Sequence, residues 1–215
     1  MRNRILRFVA YAMVGVFTGL VVAGVEVLAL EIMLEEVLHA ELWQQALAPA
    51  VGLMIAVLIL QWADMGKALS PATSEDYIRA YHSRHGQVRL LHVPFRMLAG
   101  VAAVGSGAAV GLEGPSVYGG ATIGEAIQNR LRWLFKEKDG KALLVAGAAA
   151  GVAAIFQAPA TGVLFALESP YKGDLGRRAL LPSLISAATS YLVFVTVTEV
   201  DGPSTFDINE DFVTS

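Results

Sequence analysis

The stretch VGSGAAVGLEGPSVYGG, residues 104–120, places one carboxylate, Glu113, between two apolar segments. The glycines beside Glu113 let the backbone leave a helix, and Pro115 suits the first turn of a new helix, where its missing N–H needs no partner. The stretch therefore predicts a broken helix, with the new helix beginning at about Ser116. The positive N-terminal end of such a helix attracts negative charge, so this end is a candidate anion site.

The rest of the chain is rich in apolar residues. Hydrophobic residues make up 55% and charged residues 16%, and the mean hydropathy is +0.55, outside the range of ordinary soluble domains. Five segments contain no Asp, Glu, Lys or Arg: 8–25, 46–62, 97–112, 142–167 and 179–198. Because about 20 apolar residues cross the hydrocarbon core of a bilayer, we predict an all-α polytopic membrane protein. We expect a single transmembrane domain over residues 1–215, with an acidic tail or loop at 198–215.

Segment lengths and prolines set the predicted helices. The segment 142–167 is too long for one span and contains Pro159, so it predicts two half-length helices that meet at Gln157-Ala158-Pro159. The acids after Ser74 predict a short capped helix, whose N-terminus around 70–74 can face an anion. The other predicted helices cover 5–30, 47–62, 88–104, 116–134 and 175–197.

Charges around the first apolar segment predict its orientation. Arg2, Arg4 and Arg7 precede it, whereas acids and His39 follow it, which predicts a cytoplasmic N-terminus in a cell membrane. The segment is longer than the core of a secretory signal, so we expect it to span the membrane rather than to be cleaved. The chain has no cysteine, and its net charge of −3 gives no reason to expect a nucleic-acid partner.

Glu113 has the most specific chemistry in the sequence. Ionisable groups at membrane depth are costly and mark function, and a carboxylate at a positive helix end competes with an anion for the same space. Protonation would remove its charge and free that space, so Glu113 could act as gate and as proton acceptor. The alternative is a carboxylate at the membrane interface that caps the following helix. The glycine pairs at 107 and 111 and at 147 and 151 predict close helix packing.

The motif at Glu113 resembles the signature of the CLC family of chloride channels and chloride/proton antiporters, Gly-(Lys or Arg)-Glu-Gly-Pro. A second stretch, GAAAGVAAIFQAP at 147–159 followed by GVLFALE at 162–168, resembles the family's paired short helices. Members are about twice as long as this chain and consist of two inverted halves, a pattern shared by many transporters. The resemblance implies that the chain corresponds to the N-terminal half of that fold.

The resemblance also implies a function, namely transport of chloride or a similar small anion without an enzymatic step or a cofactor. Glu113 would be the gate, and the residues around it would line the anion site: Gly111, Leu112, Glu113, Gly114 and Pro115. The family implies a homodimer in the lipid bilayer that works as a voltage-gated type of channel or as a chloride/proton antiporter. A truncated half-pore, inactive without its second half, is a further alternative.

Two departures from the family pattern affect the anion site. Leu112 stands where the signature has a base, which weakens the positive potential there. Arg96 matches a basic position one helix earlier, or is an ordinary helix-flanking arginine. The family's anion-binding serine corresponds to Ser70, to Thr73 or to backbone alone, and both side chains could instead be helix caps.

A third departure concerns protons. Glu168 matches a glutamate shared by channels and antiporters, and its alternative role is that of a hydrogen-bonding partner at a helix end. Ser169 follows it where many antiporters have a second glutamate that relays protons, which weakens the case for proton exchange.

A rival from another class is an intramembrane enzyme that uses Glu113 and a histidine as acid and base. The candidate histidines are His39, His82, His85 and His92. No His-x-x-x-His pair with a nearby glutamate occurs, which disfavours a metalloprotease and any metal site.

Overall fold

The structure is a computed structural model that describes residues 2–63, 73–82, 88–135, 141–170 and 177–198. Every element within these residues is helical, which confirms the predicted all-α class. The helices are α1 (Arg2–Glu26), α2 (Glu35–His39), α3 (Leu42–Trp62), α4 (Thr73–His82), α5 (Val93–Gly105), α6 (Glu113–Arg130), α7 (Ala142–Ile155), α8 (Pro159–Glu168) and α9 (Arg177–Thr198). A π-helical segment, Val27–Leu34, joins α1 to α2, and a 3₁₀ turn, Leu90–His92, precedes α5. Of the predicted acidic tail, 199–215 lie outside the described residues.

The first helical stretch is longer than predicted. It runs over Arg2–His39, 38 residues, whereas the sequence predicted an end near residue 30. Glu31, Glu35 and Glu36 are exposed, so water or lipid headgroups can solvate them and they do not stop the helix. Two more helices of the described chain, Leu42–Trp62 and Arg178–Thr198, are long and apolar enough to cross a membrane. These lengths agree with a multi-pass membrane protein.

α7 forms the centre of the fold. Its residues 142–154 are all buried, and it packs against α1, α6, α8 and α9. A Cβ atom at Gly147 would lie 1.9 Å from the Gly120 carbonyl oxygen, and one at Gly151 would lie 2.1 Å from the Ser116 carbonyl oxygen. The predicted close packing at these two α7 glycines is therefore confirmed, and it follows the small-residue rule for membrane helices.

The packing prediction is wrong for Gly107 and Gly111. Gly107 has φ +85° in the turn after α5, a left-handed conformation that glycine adopts without a steric penalty. A Cβ there would meet only Leu34 and Pro49 side-chain atoms, at 3.7 and 4.0 Å. Gly111 faces the carboxylate of Glu113 and not another helix. These two glycines therefore serve the turn and the carboxylate.

The two half-length helices predicted around Pro159 are confirmed. α7 ends at Ile155, and α8 begins at Pro159, whose missing N–H falls where no helical hydrogen bond is made. Between them Gln157 has φ +53°, a left-handed conformation that only a minority of residues with side chains adopt. The reversal is therefore sharp, and it returns the chain along α7.

The outer helices differ in how far they are covered. α9 is joined to its neighbours by hydroxyl groups: Ser186 Oγ donates to the Tyr11 carbonyl oxygen at 2.8 Å, and Ser190 Oγ donates to the Ala150 carbonyl oxygen at 2.9 Å. α3, in contrast, buries only Gly52 and Ala56. Ile59 and Leu60 pack partly against α5, while most of its other large apolar side chains are exposed and available to lipid.

Candidate functional site

The site is built on the first turn of α6. The helix begins at Glu113, three residues before the predicted Ser116, because a proline is tolerated throughout a first turn whose N–H groups have no helical partner. The Ser116 N–H is the first to bond within the helix, to the Leu112 carbonyl oxygen at 3.0 Å. The N–H groups of Glu113 and Gly114 therefore remain available at the positive end of the helix.

The Glu113 side chain lies across this turn. It is exposed, and its Oε2 is 1.7 Å from where a Cβ atom at Gly111 would be. Because Gly111 has no side chain, the Glu113 carboxylate occupies the space that a Cβ atom at position 111 would fill. The N-cap residue of α6 is Leu112. Glu113 is therefore the first residue of the helix, and the alternative in which it caps a helix that starts at Ser116 is wrong.

Leu112 and Pro115 fix the start of α6 onto α5. The Leu112 side chain is buried, and its Cδ2 is 3.1 Å from where a Cβ atom at Gly100 would be, with Pro115 Cγ at 3.3 Å from the same point. Leu112 can therefore offer an anion its backbone only. The apolar contact holds the helix end in place without adding charge.

Thr73 is brought to the same turn from α4. It is the first residue of α4 and is buried, and its Oγ1 lies 2.2 Å from where a Cβ atom at Gly114 would be. The start of α6 and the Thr73 hydroxyl group therefore meet beside Glu113. Ser70, the other candidate hydroxyl, lies outside the described residues.

Arg96 is buried between three helices. Its side chain is only 3% exposed, and its Nη2 lies 2.5 Å from Asp76 Oδ2 of α4. Its guanidinium carbon also stacks over the Tyr118 ring of α6, 4.1 Å from the ring centroid. The helix-flanking alternative for Arg96 is therefore wrong, because a flanking arginine would extend into solvent or headgroups.

Glu168 and Ser169 lie at the other end of α8. Glu168 is exposed, and Ser169 Oγ donates to the Phe165 carbonyl oxygen at 2.6 Å. α4 reaches this end too, because the buried Tyr77 hydroxyl donates to the Ala166 carbonyl oxygen at 2.8 Å. A single short helix thus touches both the start of α6 and the end of α8.

Three residues near these elements were missed by sequence reasoning. Asp76 was interpreted only as a first-turn acid, and Tyr118 only as part of the glycine-rich motif, because their pairing with Arg96 depends on contacts between distant segments.

Glu26 follows directly on the charge-free segment 8–25. Its Oε2 is buried, with no hydrogen-bond partner among the described residues, a rare situation for a carboxylate and a signal of function in a membrane helix.

Polar groups also join the far ends of α4, α6 and α7. Glu125 accepts a hydrogen bond from the Val88 N–H at 3.1 Å, and Lys141 Nζ donates to the Ala80 carbonyl oxygen. Burial lowers the pKa of Lys141, and the Glu125 carboxylate acts in the opposite direction. These contacts close the end of the helix group remote from Glu113.

The histidines are scattered over the structure. His39 ends α2, His82 ends α4 and His92 is buried in the 3₁₀ turn, while His85 lies outside the described residues. Within the described ranges, no three His, Asp or Glu side chains are grouped so as to hold a metal ion.

The sequence of the chain is similar to those of known membrane proteins. A family model described as "voltage gated chloride channel" matches residues 51–212. The chain is 32% identical over 150 residues to the voltage-gated ClC-type chloride channel ClcB of Yersinia pseudotuberculosis, which covers 70% of this chain and 35% of that protein. It is 42% identical over 77 residues to the H(+)/Cl(−) exchange transporter ClcA of Vibrio cholerae, covering 35% of this chain and 16% of that protein. The chain thus spans about a third of the length of the curated relative it matches over most of its own length.

Solved structures share the fold. A CLC-type fluoride/proton antiporter superposes with a TM-score of 0.73 at 25% identity, covering 95% of this chain and 51% of that one. A slow cyanobacterial Cl−/H+ antiporter superposes with a TM-score of 0.66 at 21% identity, covering 92% of this chain and 47% of that one. The described helices therefore reproduce about half of each of these structures.

Proposed function

Because the chain belongs to the voltage-gated chloride channel family, we propose that it forms part of a path by which chloride or a similar small anion crosses a membrane, with Glu113 as the gate. The observation that carries the proposal is the start of α6, where N–H groups and a carboxylate share one place. An anion and the Glu113 carboxylate compete there, since both are negative and both are attracted to the positive helix end. Protonation or displacement of Glu113 opens the place to the anion.

The residues around Glu113 divide into backbone and side-chain contributors. Glu113 and Gly114 offer N–H groups, while Gly111, Leu112 and Pro115 shape the turn. Thr73 offers a hydroxyl hydrogen to the same space, and Ser70, close before it in sequence, is the other candidate. No cofactor enters this proposal, because hydrogen-bond donors alone can replace part of an anion's hydration shell.

Anion transport without obligatory proton exchange is the primary form of the proposal. Ser169 cannot carry a proton as a carboxylate does, and its hydroxyl is engaged with the Phe165 carbonyl oxygen. The second candidate, a chloride/proton antiporter, is favoured by the two similar structures, both of which are proton-coupled antiporters. Glu113 could accept a proton in either case.

The membrane arrangement follows from charge and exposure. Arg2, Arg4 and Arg7 favour a cytoplasmic N-terminus in a cell membrane. The homodimer implied by the family is part of this proposal, and so is the need for a second half-length unit, since the chain matches 51% of an antiporter chain. A half-pore would leave polar backbone near lipid, which is strongly unfavourable.

The test is chloride efflux from liposomes that contain the purified chain, measured with external pH recorded. Glu113→Gln removes the charge and keeps the shape, so we expect efflux to rise several-fold and to lose its dependence on pH. The matched control is Glu36→Gln, which changes an exposed acid of α2 in the same way and should leave efflux unchanged.

Each outcome has a definite meaning. Proton movement coupled to native efflux supports the antiporter, and efflux without it supports the channel. If efflux is absent, the same assay is repeated with the second half of a related antiporter co-reconstituted, and recovery identifies a half-pore. Efflux that is identical in the native chain and Glu113→Gln would disprove the gate.

A further inference from the structure

We propose that Arg96 is a positioning residue that fastens α4 to α6 and so sets where the Thr73 hydroxyl stands at the anion site. The inference rests on the proposed function, because Arg96 lies outside the proposed anion site and is assigned the role of positioning a group within it. The three side chains that carry it, Asp76, Arg96 and Tyr118, are called the arginine latch below.

The latch joins one residue from each of three helices. Arg96 of α5 pairs with Asp76 of α4 at 2.5 Å and stacks on Tyr118 of α6. The ring cannot turn freely, because the Tyr118 hydroxyl accepts a hydrogen bond from the Arg89 N–H at 3.1 Å and is 3.3 Å from the Arg89 carbonyl oxygen, to which it donates. One guanidinium therefore contacts α4 and α6 at once.

The latch lies one helical turn from the anion site on both helices. Thr73 and Asp76 are separated by three residues on α4, and Gly114 and Tyr118 by four on α6, so each pair shares a helix face. The first contact is Thr73 with Gly114, and the second is Asp76 through Arg96 to Tyr118. Further along α4, Tyr77 still bonds to the Ala166 carbonyl oxygen and Lys141 to that of Ala80. Losing the second contact therefore releases only the first turn of α4, and we expect the Thr73 hydroxyl to move away from Gly114.

The chemistry explains why the residue is arginine. A planar guanidinium can stack on a ring and still donate in its own plane to a carboxylate, whereas a lysine ammonium cannot do both in the same way. Within the described part of the chain, Arg96 Nε and Nη1 have no hydrogen-bond partner. Among the described residues, the contacts with Asp76 and Tyr118 are therefore what hold the guanidinium in place.

The first test measures the position of Thr73 without transport. Because the chain has no cysteine, Thr73→Cys gives a single thiol whose reaction rate with a water-soluble methanethiosulfonate reports its exposure. We expect slow labelling, and a rise of about tenfold or more when Arg96→Gln is added, as for a locally opened segment. Tyr118→Leu should act like Arg96→Gln, whereas Tyr118→Phe keeps the ring and should leave most of the protection.

A control separates a local shift from loss of the fold. Glu36→Cys is exposed and should label at one rate with or without Arg96→Gln. If Arg96→Gln does not yield folded protein, Asp76→Asn, which keeps the side-chain shape, replaces it in the same experiment. An unchanged Thr73→Cys rate in a folded Arg96→Gln or Asp76→Asn protein overturns the proposal.

The second test asks whether Arg96 acts through Thr73. Half-saturating chloride is measured for Arg96→Lys, for Thr73→Val and for both together. If Arg96 acts by placing the hydroxyl, the double variant equals Thr73→Val alone, because the hydroxyl to be placed is gone. Independent, additive changes overturn the positioning role. The labelling test needs no flux, so it decides the arginine latch separately. A chain that stays inactive even with a second half would defeat the proposed function alone.

Discussion

The contact of α6 with α7 and its contact with α4 hold the same helix in opposite ways. Against α7 the glycines bring backbone to backbone, with Gly147 facing Gly120 and Gly151 facing Ser116. Against α4 the contact runs through Arg96 of α5, by a part-buried ion pair with Asp76 and an aromatic stack on Tyr118. The first contact depends on the absence of side chains, and the second on their charge. The difference indicates a fixed half of the site, built on α6 and α7, and an adjustable half, built on α4.

The largest expected effect comes from breaking the fixed contact. Gly147→Ala places a Cβ atom 1.9 Å from the Gly120 carbonyl oxygen, and neither backbone can give way, so we expect a loss of about 3 kcal/mol of stability or no folded protein. The matched control is Gly24→Ala, since a Cβ there meets nothing within 4 Å. It should change stability by about 1 kcal/mol at most. Unfolding in detergent titrations compares the two, and equal stabilities would refute the backbone contact.

A smaller loss is expected from the adjustable contact. Asp76→Asn keeps the size of the side chain and removes the charge that faces Arg96, so we expect a loss of about 1 to 3 kcal/mol. The protein should stay folded, because α7 still holds α6. The same titration measures the loss, and Asp76→Asn combined with Arg96→Gln shows whether the two act as a pair. Losses that simply add would contradict a direct interaction.

The smallest effect on stability is expected at Gly111. Gly111→Ala also creates a clash, 1.7 Å from Glu113 Oε2, but the atom it meets is the end of a flexible side chain that can swing away. We expect stability to change by less than about 1 kcal/mol, while efflux changes in the same direction as in Glu113→Gln. A stable Gly111→Ala protein with native efflux would show that the carboxylate does not gate from this position.

The sequence predicted those parts of the fold that depend on local chemistry. Pro159 cannot continue a helix, so the two half-length helices could be predicted from it. The start of α6 was predicted three residues too late, because Pro115 is equally acceptable anywhere in the first turn. The first span was predicted too short, because acids end an apolar segment but do not end a helix.

The site could be predicted only in part. The resemblance of the motif to the family pointed to Glu113 as the gate, a role that stays a prediction. The structure places Thr73 beside Gly114, and its role in binding an anion stays a prediction too. The burial of Arg96 could not be predicted, since an arginine next to an apolar segment usually extends toward headgroups. Its partners, Asp76 and Tyr118, lie in other helices, and no local pattern joins them.

Because α3 buries only Gly52 and Ala56, the surrounding lipid contacts this helix directly. Its 21 residues correspond to about 32 Å of helix, close to the thickness of a hydrocarbon core of about 30 Å. A thinner bilayer would tilt such a helix, and a thicker one would hold it upright and thin around it. α3 touches Ser106, at the end of α5, through Gly52. The linker that follows leads directly to Glu113. If Glu113 gates as proposed, we expect anion flux to differ between short-chain and long-chain lipids, and equal flux in both would exclude this route from lipid to the site.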